Sequence, residues 1–123
     1  MVTAIWVGLG GMLGALLRYG VGLGVRALHG GPFPAGTLLV NVLGCFAIGW
    51  ALGHGAGEPR VSGDLRAFAV VGLLGAFTTF STFGVETVHL IQGGRLGAAL
   101  GSAALNFGLG LLAVVAGSWL GQN

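Results

Sequence analysis

Four long apolar stretches, separated by short polar segments, occupy nearly all of this chain. They run over residues 2–28, 37–52, 67–91 and 96–120. A helix needs about 20 predominantly apolar residues to cross the hydrocarbon core of a bilayer. Only 7% of the 123 residues are charged, whereas a soluble domain has roughly a quarter. The sequence therefore predicts an all-α integral membrane protein, with four transmembrane helices in a single domain over residues 1–123.

The small number of charged residues limits what the chain can bind. Its net charge of +2 rests on five arginines and three acids, which is too sparse for the basic patch that nucleic-acid binding requires. Cys45 is the only cysteine, so no disulfide can form within the chain and no cysteine metal site exists. No nucleophile–base pair or metal cluster indicates an enzyme. The expected surroundings are a lipid bilayer, as a multi-pass protein of the cell (inner) membrane, without nucleic acid.

Glycine is abundant, with 27 residues. Small residues four positions apart allow membrane helices to approach each other closely. Three pairs have this spacing: Gly10 and Gly14, Gly20 and Gly24, and Gly97 and Gly101. The pattern predicts close helix packing at these positions.

Polar side chains inside the apolar stretches are the first candidates for function, because a charge or amide at membrane depth is energetically costly. Arg18 lies in the last third of the first stretch, where it could either reach the interface or attract anions to an aqueous vestibule. Asn41 and Asn106 lie on stripes of small or polar residues in the second and fourth stretches. Each amide could hydrogen-bond a neighbouring helix or line a narrow polar track.

The third stretch contains the most unusual segment, GLLGAFTTFSTFGVE at residues 72–86. Its glycines weaken a helix, and the hydroxyls of Thr78, Thr79, Ser81 and Thr82 compete for backbone groups. A break in a membrane helix frees carbonyl oxygens that can bind a cation. The segment predicts such a break, and an intact helix whose hydroxyls bond back to carbonyls is the alternative.

Phe77, Phe80 and Phe83 recur at every third residue of the same segment, so they lie near one another on a helix. As a bare pattern, such a stripe is usually lipid-facing or part of a core. Beside four hydroxyls it has a second interpretation, because a phenyl ring has a positive edge that can face an anion. Contacts without a full charge suit a channel, in which an ion must both bind and leave.

These stretches resemble the Fluc (CrcB) family of fluoride channels over nearly the whole chain. The matching segments are GGMLGALLRY at 10–19, GTLLVNVLGCFAIG at 36–49 and GLLGAFTTFSTFGVE at 72–86, and the fourth stretch matches more loosely. The resemblance implies a fluoride-specific channel that exports fluoride passively from the cytoplasm and so lowers its toxicity. It also implies a dual-topology homodimer of two antiparallel subunits.

The resemblance further implies roles for individual residues. Two fluoride pathways are expected along the dimer interface, with Arg18 near the aqueous entrance. The other pathway positions correspond to Asn41, Phe80, Ser81, Thr82, Phe83 and, through the looser match, Asn106. The backbone carbonyls of Gly75 and Thr78 correspond to a central structural sodium (Na+) site, whose ion is not transported.

Two other functions remain open at this point. A small multidrug transporter is also a four-span dimer, but a proton-coupled exporter of cations needs an acid in the membrane, usually in its first helix. The first stretch has no acid. The second alternative is a non-conducting structural subunit of a larger complex, which leaves the polar residues of the third stretch unexplained.

Overall fold

The computed structural model describes residues 2–55 and 62–123, and every regular element in these ranges is helical. Four helical spans are long and apolar enough to cross a membrane, as predicted. They are α1 (Val2–Leu28), α2 (Ala35–Gly55), a composite third span (Gly63–Gln92) and a fourth helix (Leu96–Gln122). The limits predicted from the sequence agree with the observed ends of α1. For the other three spans they fall short of the observed ends by about one helical turn or less. Part of the predicted polar loop, Glu58 to Arg60, lies outside the described residues.

The third span is interrupted, which confirms the predicted break. It consists of α3 (Gly63–Arg66), a π-helical segment (Ala67–Leu74), α4 (Gly75–Phe77) and α5 (Phe80–Gln92), so that the fourth helix is α6. Between α4 and α5 the backbone is extended, with φ −81° and ψ 159° at Thr78 and φ −153° and ψ 113° at Thr79. The break therefore lies at Thr78 and Thr79. The π-helical segment before it was not predicted from the sequence.

Glycines bring the first half of the third span against α1. A Cβ added at Gly14 would overlap the Leu73 carbonyl, and one at Gly10 would overlap the Phe68 carbonyl. Larger residues there would push the two helices apart, so this predicted pair is confirmed. A Cβ added at any of the other four predicted glycines would meet nothing within 4 Å among residues 2–55 and 62–123. The close packing predicted at those four positions is therefore wrong within this part of the single chain.

A second close pair joins α2 to α6. A Cβ at Gly49 would overlap the Val114 carbonyl, and one at Gly117 would overlap the Phe46 carbonyl. The chain thus has two tightly packed helix pairs, α1 with the first half of the third span and α2 with α6. After the break, α5 packs mainly against α6. The break consequently lies where the third span passes from the first pair to the second.

Candidate functional site

The break is capped by its own hydroxyls. Thr79 Oγ1 accepts a hydrogen bond from the Thr82 amide at 3.2 Å and donates to Thr82 Oγ1 at 2.9 Å. Ser81 Oγ lies 3.4 Å from the same Thr79 oxygen. A threonine at this position is a good N-cap because its side-chain oxygen satisfies an amide at the start of the helix. The Thr79 hydroxyl therefore fixes the beginning of α5 inside the membrane span.

Asn41 of α2 satisfies both backbone groups of Thr79. The Thr79 amide donates to Asn41 Oδ1 at 2.8 Å, and Asn41 Nδ2 donates to the Thr79 carbonyl at 3.2 Å. Lipid offers no hydrogen bonds to a broken helix, so such groups must find partners in the protein. The side-chain amide of Asn41 thus makes the two hydrogen bonds to Thr79 that the backbone of a neighbouring segment could otherwise make. It can approach because position 44, one turn further along α2, is a glycine, where a Cβ would overlap the Thr78 side chain.

Asn106 of α6 continues this hydrogen-bonded chain. Asn41 Nδ2 donates to Asn106 Oδ1 at 2.9 Å, and Asn106 Nδ2 donates to the Ser102 carbonyl at 2.9 Å. Both amide hydrogens of Asn41 are therefore already engaged, whereas Asn106 has a second amide hydrogen beyond the one given to Ser102. Three helical spans meet at this pair of amides.

The same break leaves carbonyl oxygens without their helical donors, among them those of Gly75 and Thr78. In a continuous α-helix, the carbonyls of Gly75 and Thr78 would accept from the amides of Thr79 and Thr82. Both amides donate to side chains instead, the first to Asn41 Oδ1 and the second to Thr79 Oγ1. Gly75 is exposed and Thr78 half-buried in the single chain. These two oxygens are of the kind that hard cations prefer as ligands.

Three phenyl rings lie beside the break. The rings of Phe80 and Phe83 are 5.5 Å apart between centroids, and those of Phe83 and Phe107 are 6.1 Å apart and nearly perpendicular, at 89°. Phe83 is only 7% exposed, whereas Phe80 is 73% exposed and projects from the surface of the single chain. Phe83 therefore has its ring fixed by the chain itself, while Phe80 offers its ring outwards.

Two cavities adjoin the break. The smaller, of about 350 Å³, is lined by Asn41, Phe80, Phe83 and Asn106, and Gly75 and Thr78 also border it. The larger, of about 690 Å³, extends to the loop between α1 and α2 and to the turn before α6. Its wall includes three arginines, Arg18, Arg26 and Arg95, with one carboxylate, Glu86. This balance gives the larger cavity a positive lining that attracts anions.

Most of the predicted site residues therefore border one of the two cavities. Arg18 and Thr82 line the larger one, and Ser81, which is exposed, lines neither. Thr79 lines both cavities, and its central position was not predicted. The sequence signal that could have identified Thr79 is its place in the run of hydroxyl residues from Thr78 to Thr82. Glu86 was not assigned a role either, and its Oε2 atom is buried without a hydrogen-bond partner in the part of the chain that the structure describes.

Residues 5–118 match the CrcB-like protein, Camphor Resistance (CrcB) family. The chain is 50% identical to a fluoride-specific ion channel FluC of Thermus thermophilus, over 94% of this chain and 90% of that protein. It is 44% identical to the protein of the same name from Acidobacterium capsulatum, over 96% and 91% of the two chains. The namesake from Clostridium novyi is 41% identical, over 99% and 95%.

Proposed function

Because this chain belongs to the CrcB-like family, whose matched relatives are fluoride-specific ion channels, we propose that it is itself a fluoride-specific channel. The observation that carries the proposal is the pair of cavities meeting at Thr79, with hydroxyls, amides and phenyl rings beside it. The relatives are named as ion channels, which agrees with the prediction that the chain is not an enzyme. It is a multi-pass membrane protein with four spans.

The lining of the two cavities suits a strongly hydrated anion. Arginines in the larger cavity raise the local fluoride concentration, and the Thr82 hydroxyl at its inner end can donate a hydrogen bond, since its oxygen accepts from Thr79. Beyond Thr79, the edges of Phe80 and Phe83 supply weaker contacts. Neither phenyl rings nor hydroxyls carry a fixed charge that would trap the ion. Transport is then passive, and export follows when fluoride is more concentrated in the cytoplasm.

A second, antiparallel copy of the chain completes this site. Ser81, Thr82 and Gly75 present polar groups on the outside of the single chain, next to the exposed ring of Phe80. Lipid cannot satisfy such groups at membrane depth, whereas the same surface of a second copy can. A homodimer related by a two-fold axis would bring each set against its equivalent and enclose two pathways.

Sodium fits the free carbonyls at the break. Gly75 and Thr78 each offer one carbonyl oxygen whose helical donor is engaged elsewhere. Two copies would supply four such oxygens around one hard cation near the dimer axis. The ion would hold the two broken helices together and would not be transported, because its ligands are fixed backbone groups.

Fluoride efflux from proteoliposomes tests the proposed function. The purified protein is reconstituted in vesicles loaded with potassium fluoride, valinomycin is added to carry the counter-ion, and a fluoride electrode records release. Rapid release of fluoride with retention of chloride in parallel vesicles is expected. Fluoride release no faster than from protein-free vesicles would contradict the proposal. Efflux of a cationic dye instead would support the multidrug-transporter alternative.

A further inference from the structure

The orientation of two side-chain amides can be derived from backbone groups whose chemistry is unambiguous. The Thr79 amide can only donate, so the Asn41 atom 2.8 Å from it must be the oxygen. The nitrogen of Asn41 therefore faces Asn106, and the Asn106 atom that accepts its hydrogen bond at 2.9 Å must be the side-chain oxygen. The nitrogen of Asn106 then faces the Ser102 carbonyl, which can only accept, again at 2.9 Å. The series is consistent from Thr79 to Ser102.

We infer that Asn106 is a positioning residue that holds the broken helix open through Asn41. Asn41 needs its oxygen turned towards the Thr79 amide, and Asn106 keeps it there by accepting from the Asn41 nitrogen. Asn106 is itself anchored to Ser102, a residue with no exposed surface, on the helix that α2 packs against through glycines. The backbone geometry at the break is thereby coupled to α6.

Hydrogen exchange at single amides tests this role without any measurement of transport. Protein labelled with ¹⁵N-threonine is studied by NMR in lipid nanodiscs, and the Thr79 and Thr78 amides are compared. Thr78 donates to the Leu74 carbonyl and has no contact with Asn41 in this network, so it is the internal control. In Asn106→Leu, exchange at Thr79 should rise about fivefold to tenfold, the effect of losing one buried hydrogen bond, while Thr78 stays unchanged.

Asn106→Asp separates positioning from direct contact with the ion. Aspartate keeps an oxygen that can accept from Asn41 but has no amide hydrogen to offer an anion. Aspartate also lacks the hydrogen that Asn106 donates to the Ser102 carbonyl, so the inference predicts a Thr79 exchange rate between those of the wild type and Asn106→Leu. If Asn106 only contacted the ion, both variants would lower flux and neither would change Thr79 exchange, which would overturn the inference. Any effect of Asn106 on fluoride flux rests on the proposed function, whereas the exchange result does not.

A double variant tests separately whether Asn106 acts through Asn41. In an Asn41→Leu background the Thr79 amide has already lost its acceptor, so adding Asn106→Leu should not raise its exchange further. Additive increases in the two variants would show that Asn106 acts independently of Asn41 and would refute the inference.

Discussion

Replacing Asn41 by leucine should destabilise the protein at one identifiable place. The Thr79 amide would lose its acceptor in a water-poor environment, at a cost of about 1–3 kcal/mol. The bond to Asn106 would also be lost, and hydrogen bonds between membrane helices average about 0.6 kcal/mol. The Thr79 carbonyl would lose the hydrogen bond from Asn41 Nδ2. It can still accept from an amide in the first turn of α5, so losing this bond costs less. The expected decrease in the free energy of unfolding is about 2–4 kcal/mol.

Unfolding by SDS in mixed micelles, at fixed protein concentration, measures this decrease. Gln122→Leu is the matched control, because in the described part of the chain this exposed amide bonds only Ser118 of its own helix, and its loss should cost under about 0.5 kcal/mol. Asn41→Asp retains an acceptor for the Thr79 amide and should fall between the control and Asn41→Leu. A decrease for Asn41→Leu no larger than that of the control would refute the assignment of Asn41 to the backbone of the break.

Three further predictions concern the pathway, the cation and the orientation. In a Phe80→Ile, Phe83→Ile double variant, fluoride flux should fall more than about tenfold in a correctly assembled dimer, because isoleucine keeps the bulk but removes the positive ring edge. The control is Phe68→Ile, at a ring that lies against Trp6, and this variant should conduct normally. Exhaustive replacement of sodium by a large organic cation should abolish flux, and full activity after verified removal would count against the cation site. A cysteine placed at Gly30 in a Cys45→Ser background should be labelled in about half the copies from each side of the membrane. The reason is that the loops on the two faces carry equal numbers of arginines, Arg60 and Arg66 on one and Arg26 and Arg95 on the other. Labelling from one side only would exclude dual topology.

The helical spans could be predicted from the sequence because the bilayer imposes both their length and their apolar character. The break was also predictable, since glycines and four hydroxyls in one segment favour it. It was harder to predict from the sequence which helices pack against each other. Gly49 and Gly53 in α2, and Gly117 and Gly121 in α6, have the same spacing as Gly10 and Gly14 and pack as closely. Spacing alone does not state which face of a helix meets another.

The partners at the break could not be read from the sequence because they are distant along the chain. Asn41 and Thr79 are separated by 38 positions, and an amide at Asn41 could equally have bonded water or an ion. Gly75 and Thr78 were selected by resemblance alone. In the structure, the amides that would cover their carbonyls in a continuous helix donate to Asn41 and to the Thr79 hydroxyl, and the cation site itself stays a prediction.

Ion selectivity across a planar bilayer tests the central proposal most directly. The protein is incorporated between two chambers that contain equal chloride and a tenfold difference in fluoride, and the voltage at which current reverses is recorded. A fluoride-specific pathway predicts a reversal potential near the fluoride equilibrium value, about 59 mV for a tenfold gradient of a monovalent ion. A reversal potential near zero, which is the equilibrium value for chloride, would contradict the account.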